Sequence, residues 1–225
     1  MEYLYKKIKH ISLEDAIEIE HSDKQFKALK QLYENIENKK AYLSLIIANS
    51  IICYQLSSTW ENYWKEFSEE WSKEKIEKVW DIIDFFIDFL PRSKWNKRFI
   101  DTKINRIHRL KPFLKEFVWK EEYYYKNMAE LRDLLSKTMN QAKEAKTIVF
   151  AVKMFSYGAR NYFWKVIEFP LEVSIPVDSR LEKLFEKYKW DYTDINKFYE
   201  DLSKKVSIAP LHLDAIIWVN FNELI

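Results

Sequence analysis

The chain has 225 residues, and its content of 48% hydrophobic and 17% aromatic residues is enough to build a substantial buried core. A formal charge of +2 is far from the strongly basic balance typical of nucleic-acid-binding proteins, so such a function would need a segregated charge distribution. The single cysteine, Cys53, excludes an internal disulfide, a four-cysteine zinc site and a cysteine-ligated iron–sulfur cluster.

Apolar residues recur at helical spacing along almost the whole chain, which predicts about ten to twelve helices and little or no strand. Turn-forming residues predict breaks near positions 39–40, 56–59, 91–93, 111–112, 140–145, 169–176, 192–194 and 209–210. No repeat and no low-complexity linker divides the sequence. We therefore expect an all-α fold in a single compact unit over residues 1–225, as one domain or two closely fused helical lobes.

Targeting and metal-binding signals are lacking in the sequence. No apolar run reaches the roughly eighteen residues of a membrane-spanning helix, and the first residues lack the apolar centre of a signal peptide. The histidines at positions 10, 21, 108 and 212 show no metal-ligand spacing. We expect a soluble cytoplasmic protein with no membrane partner and no metal site.

Basic residues are concentrated in two segments. Residues 94–111 contain seven basic side chains against one acidic residue, and residues 137–165 contain six against one. Two such segments in a nearly neutral chain favour phosphate contact on one face. A solvated surface remains the commoner explanation for either segment alone.

A helix predicted from Lys146 to Tyr157 has two distinct faces. One is an apolar stripe, and the other carries Lys146, Phe150, Lys153 and Tyr157 at helical spacing. A lysine in the first turn opposes the helix dipole, which makes Lys146 a candidate nucleophile. A solvated face is the simpler interpretation, but two aromatic rings between lysines favour a pocket that stacks a planar ligand.

Asp178 lies 32 positions after Lys146, in the segment Ile175-Pro176-Val177-Asp178-Ser179-Arg180. With Lys146 it forms a candidate pair of amine and carboxylate. Taken alone, Asp178 is a good N-cap for the periodic run that follows it.

Five ordered blocks of this sequence resemble the archaeal GO glycosylases, a divergent branch of the helix-hairpin-helix DNA glycosylase superfamily. The blocks are residues 23–26, 49–64, 146–153, 175–180 and 209–218, and together they span most of the chain. The resemblance implies a two-lobed helical fold with its active site in the cleft between the lobes and its hairpin near residues 137–157. It also implies a monomeric, chromosome-associated repair enzyme that excises 8-oxoguanine from DNA without an organic cofactor.

The resemblance implies roles for ten residues of this chain. Lys146 would form a Schiff base with the sugar, and Asp178 would assist it. The damaged base would be bound by Gln25, Trp64, Phe150, Lys153, Asp214 and Trp218, with Pro176 and Cys53 as weaker candidates for the pocket wall. The helix expected to begin at Pro210 places Asp214 and Trp218 one turn apart, so both can face one point.

The hairpin of this chain departs from the superfamily pattern because residues 139–145 contain no glycine. Asn140 or Gln141 must therefore adopt the left-handed conformation that glycine normally supplies. We expect the lack of glycine to affect the contact between the hairpin and a DNA phosphate more than it affects the reaction at the sugar.

Two other functions remain open at this point. A glycosylase for another damaged base, such as an oxidised pyrimidine or a mispaired adenine, would share Lys146 and Asp178 but have a different pocket. A non-enzymatic helical DNA-binding or scaffold protein would use Lys146 as a surface residue and Asp178 as a helix cap.

Overall fold

A computed structural model describes residues 1–71 and 81–225, and helices are the only regular secondary structure in these two ranges, which contain no strand. They contain fourteen α-helices and a 3-10 turn at Lys39–Ala41. The α-helices, numbered α1 to α14 in order, are Glu2–Ile8, Leu13–Ser22, Lys24–Asn35, Tyr42–Ile52, Trp60–Trp71, Asp81–Arg92, Ile100–Phe117, Glu121–Lys126, Met128–Met139, Lys146–Phe163, Ser179–Tyr188, Ile195–Val206, Pro210–Val219 and Phe221–Leu224. No helix of the described ranges is long and apolar enough to cross a membrane.

The all-α prediction is confirmed, and one predicted break is wrong. The helix α7 continues through Pro112 to Phe117 instead of ending near position 111. Proline inside a helix costs about 3 kcal/mol through its missing N–H and its ring. Leu110, Phe113, Leu114 and Phe117 are all buried around it, and their burial offsets that cost.

Helix α10 is the centre of the larger of two hydrophobic clusters. This cluster takes its buried residues mainly from α3 to α10, and α10 packs against α3, α4 and α9. Gly158, the only glycine of the chain, faces α4, where a Cβ atom would collide with Ile46 and come within 3.2 Å of Leu43. A larger residue here would displace the Ile46 side chain, so glycine favours the close approach of α10 to α4.

The smaller hydrophobic cluster comes from α1, α2 and α11 to α14. A buried ionic network joins it to α10: Glu20 Oε2 accepts from Arg160 Nη1 at 2.5 Å, and its Oε1 lies 2.8 Å from His212 Nδ1. The backbone N–H of Phe169 donates to His212 Nε2 at 3.3 Å. Helices α2, α10 and α13 are thus held together where the two clusters meet.

The turn between α9 and α10 forms without glycine, as the sequence requires. Asn140 takes the left-handed conformation, with φ 51° and ψ 53°. Arg106 Nη2 donates to Gln141 Oε1 at 2.8 Å and to Thr147 Oγ1 at 3.1 Å, and Arg106 Nε donates to the Ile51 carbonyl at 3.1 Å. Arg106 therefore ties this turn and the start of α10 to the end of α4.

Candidate active site

A pocket opens beside the first half of α10. Its cavity volume is small, about 20 Å³. Nine residues from α3, α5, α10, α13 and the segment before α11 line it: Gln25, Trp60, Lys146, Phe150, Lys153, Pro176, Asp178, Asp214 and Trp218. The pocket therefore combines aromatic walls with several polar side chains.

Lys153 and Asp214 form the buried polar side of the pocket. Lys153 Nζ lies 2.5 Å from Asp214 Oδ2 and 4.0 Å from Asp23 Oδ2. Burial alone would lower the pKa of Lys153, but the two carboxylates raise it above its ordinary value. Burial raises the pKa of both Asp214 and Asp23, against the effect of Lys153. Lys153 is thus held as a cation between acidic groups.

Lys146 has a different environment from Lys153. It is the first residue of α10 and is half-buried, with its Nζ 5.5 Å from the centroid of the Trp60 ring. It forms no salt bridge with any residue of ranges 1–71 and 81–225. Its amine therefore faces the pocket without a bound carboxylate.

Asp178 is both a helix cap and a pocket residue. Its Oδ1 accepts hydrogen bonds from the backbone N–H groups of Arg180 and Leu181, each at 3.0 Å, at the start of α11. The described part of the chain donates no hydrogen bond to its Oδ2. One oxygen thus fixes the carboxylate while the other is left for a ligand or a proton.

Aromatic rings form two walls of the pocket. Trp60 lies edge-on to Phe150, with ring centroids 4.3 Å apart and an angle of 67° between the planes. Trp218 lines the pocket too, and the Arg180 guanidinium lies 3.5 Å from the centroid of its ring. This cation–π contact fixes the orientation of Trp218. Such walls suit a flat, aromatic ligand.

Eight of the ten residues singled out in the sequence line this pocket, and Cys53 and Trp64 do not. Both are in the core, with exposures of 0% for Cys53 and 1% for Trp64. Burial raises the pKa of the Cys53 thiol well above its usual range, so this thiol is unreactive. The sequence analysis missed Trp60, which lies one turn before Trp64 on α5. Its only sequence signal was its place in the block of residues 49–64.

The first basic segment is less available to phosphate than its composition suggested. Lys103 is fully buried and donates to Asn96, while Arg106 is held by the bonds to the turn described above. Arg109 donates to the Met139 carbonyl at 3.0 Å, at the end of α9. Three of the seven basic residues therefore stabilise the fold, and the exposed basic residues of the segment include Lys94, Lys97, Arg98 and Lys111.

A metal site is not formed by the residues that the structure describes. Within 1–71 and 81–225, no group of three or more histidine, cysteine, aspartate or glutamate side chains could hold a metal ion.

Comparisons with known proteins agree on one family. The family model described as AGOG, N-glycosylase/DNA lyase, matches residues 5–224. A Methanococcus maripaludis N-glycosylase/DNA lyase is 41% identical over 88% of this chain and 78% of its own length. One from Thermococcus kodakarensis is 38% identical over 96% of this chain and 81% of its own length.

A solved structure supports the fold. The 8-oxoguanine DNA glycosylase from Pyrobaculum aerophilum, crystallised with 8-oxoguanosine, superposes with a TM-score of 0.82 at 20% identity, over 96% of this chain and 85% of that one. At this identity the similarity establishes the helical architecture. Because the family model covers nearly the whole chain and the relatives exceed 35% identity, the chain belongs to the AGOG family of N-glycosylase/DNA lyases.

Proposed function

We propose that this protein excises 8-oxoguanine from DNA and then cleaves the abasic site by β-elimination through a Schiff base on Lys146. The observation that carries the proposal is the pocket itself, which is lined by the Lys146 amine, with no salt-bridge partner among residues 1–71 and 81–225, by the half-buried Asp178 carboxylate and by aromatic rings. The Pyrobaculum relative is named as an 8-oxoguanine DNA glycosylase, which agrees with this substrate.

Binding would begin with extrusion of the damaged nucleotide from the duplex, because its C1′ atom cannot be reached inside the stack. Extrusion costs a few kcal/mol in lost stacking and pairing. Stacking on Trp60, Phe150 and Trp218 would offset this cost, since base–aromatic stacking contributes about 1–3 kcal/mol per base. The pocket rings thus serve to hold the base out of the helix.

The chemistry uses the pair of Lys146 and Asp178. The lone pair of the deprotonated Lys146 Nζ forms a bond to C1′ as the glycosidic C–N bond breaks, and the electron pair of the broken bond leaves with the base. The free Oδ2 of Asp178 stabilises the positive charge that develops on the sugar and accepts the lysine proton. The amine adduct opens to an imine, which acidifies the C2′ hydrogen. Loss of that proton expels the 3′ phosphate and nicks the strand.

Recognition of 8-oxoguanine depends on the N7 hydrogen that guanine lacks. A site that provides an acceptor for this hydrogen discriminates strongly against guanine, because the acceptor would remain unpaired. Gln25 and Asp214 carry oxygen atoms on the pocket wall. A backbone carbonyl of the pocket is an equally good acceptor.

A panel of duplexes tests the substrate. Single-turnover excision should be fast for 8-oxoguanine and at least about a hundredfold slower for undamaged guanine, as expected when a buried acceptor is left unpaired. The panel also contains an oxidised pyrimidine and a mispaired adenine. Faster excision of either of these bases would contradict the proposed substrate and would identify a glycosylase of different specificity.

A further inference from the structure

Asp23 is a buried acidic residue just behind the pocket, and the mechanism above does not use it. It is 2% exposed and precedes α3 as its N-cap, with Oδ1 accepting from the backbone N–H of Gln25 at 2.9 Å. Its Oδ2 is buried and accepts no hydrogen bond within residues 1–71 and 81–225. That oxygen instead lies 4.0 Å from Lys153 Nζ.

The two oxygen atoms of Asp23 therefore act on two different pocket residues. Through Oδ1 the carboxylate fixes the first turn of α3, which carries Gln25. Through the charge on Oδ2 it attracts Lys153, whose other neighbour is Asp214 at 2.5 Å. Without the second carboxylate, Lys153 would be drawn towards Asp214 alone.

A helix cap does not require this arrangement. Asparagine, aspartate and serine cap helices about equally well, and all three leave the helix N-terminus satisfied. A buried carboxylate oxygen without a hydrogen bond is costly, because burial penalises its charge unless another group compensates. The nearby Lys153 provides that compensation, which argues that the charge of Asp23 has a role beyond capping.

We propose that Asp23 is a positioning residue for base recognition, holding Gln25 by its helix cap and Lys153 by its charge so that both side chains face the damaged base. This inference rests on the proposed function and on the base-binding roles that the family resemblance implies for Gln25 and Lys153, both of which line the pocket. Asp23 then determines how well the pocket separates 8-oxoguanine from guanine. It takes no part in the reaction at C1′.

The test separates base recognition from lysine chemistry. Asp23→Asn keeps an oxygen for the cap and the size of the side chain but removes the charge. Asp23→Ser keeps a capping hydroxyl and provides a second variant if the asparagine variant is unstable. Each is measured by single-turnover excision of 8-oxoguanine and of guanine, by nicking of a preformed abasic site, and by melting temperature.

Asp194→Asn is the matched control. Asp194 is the exposed N-cap of α12, and its Oδ1 accepts from the N–H groups of Asn196 at 2.8 Å and Lys197 at 3.2 Å. Like Asp23, it caps a helix through its Oδ1, but it lies outside the base pocket. This variant should match wild type in every assay.

We expect Asp23→Asn to slow excision of 8-oxoguanine at least tenfold and to reduce its preference over guanine, with unchanged nicking of the abasic site. That site carries no base, so it needs only Lys146 and its immediate surroundings. If both Asp23 variants excise 8-oxoguanine as fast as wild type and with the same preference over guanine, Asp23 is only a helix cap and the inference is wrong. Equal losses in excision and nicking would indicate general damage and would also overturn the inference. If wild type nicks abasic sites but leaves 8-oxoguanine, the proposed substrate itself fails, and this inference fails with it.

Discussion

Trp60 and Trp64 lie one turn apart on α5 but have different roles. Trp60 is half-buried and lines the pocket beside Lys146 and Phe150, whereas Trp64 is fully buried in the core. Trp60→Ala should lower kcat/KM for excision about tenfold to a hundredfold, the equivalent of losing one base–aromatic contact. The melting temperature should change little, and nicking of a preformed abasic site should be less affected than excision.

The matched variant is Trp64→Phe. It keeps an aromatic ring in the core, so it should lower the melting temperature while leaving the excision rate of the folded protein near that of wild type. The assignment of the two tryptophans would be wrong if Trp64→Phe impaired excision more than Trp60→Ala did.

How much of the site can be predicted from sequence depends on where each residue lies. Lys146, Phe150 and Lys153 share one helix, so their common face follows from helical periodicity alone. The partner of Lys153, Asp214, is 61 positions away, and only the family resemblance brought it to the same site. Periodicity could not separate Trp60 from Trp64, because residues four positions apart lie on the same face of a helix. Asp23 was missed because a capping aspartate gives no sequence sign of a charged neighbour.

Among the elements, Arg106 stabilises the glycine-free turn between α9 and α10, in which Asn140 takes the left-handed conformation. Its guanidinium bonds to Ile51, Gln141 and Thr147, and so fixes the turn from which Lys146 projects. Arg106→Gln should leave Lys146 less precisely placed, because the turn loses charge-assisted bonds worth about 1.5–3 kcal/mol each. We expect about a tenfold slower formation of the covalent adduct with DNA.

Lys97→Gln is the control for that prediction, since Lys97 is an exposed basic residue of the same segment. Both variants remove one positive charge, so both should weaken DNA binding in a salt-dependent way. Only Arg106→Gln should slow adduct formation at saturating DNA. Equal behaviour of the two variants would mean that Arg106 acts through charge alone.

The helices themselves were predictable, and their number was underestimated. The short helices α1, α8 and α14 have seven, six and four residues, too few to show a clear period. Pro112 predicted a break that the buried residues on both sides of it override. Tertiary packing thus decides those elements whose local signals are weak or contradictory.

At the scale of the whole molecule, one buried carboxylate should shape the pH dependence of stability. Glu121, on α8, is 8% exposed, and its Oε1 is buried with no hydrogen-bond partner in the described part of the chain. Burial raises the pKa of Glu121 from 4.5 to about 8. Folding therefore favours the protonated form, and stability falls as the pH rises from about 4.5 to about 8.

Glu121→Gln should remove this loss, because glutamine carries no charge at any of these pH values. We expect the variant to match wild type near pH 5 and to exceed it in free energy of unfolding by a few kcal/mol at pH 9. Denaturant titrations of both proteins at the two pH values measure the difference. If the variant is less stable than wild type at pH 9, other groups stabilise the charged Glu121 carboxylate and the prediction is wrong.

Borohydride trapping tests whether Lys146 is the nucleophile of a glycosylase that is also a lyase. Wild type, Lys146→Gln and Asp178→Asn are incubated with a duplex carrying one 8-oxoguanine, and borohydride reduces any imine to a stable covalent adduct. We predict an adduct with wild type, none with Lys146→Gln, and a strongly reduced yield with Asp178→Asn. An undiminished adduct with Lys146→Gln would contradict the assignment, and excision by wild type without any adduct would contradict the Schiff-base mechanism.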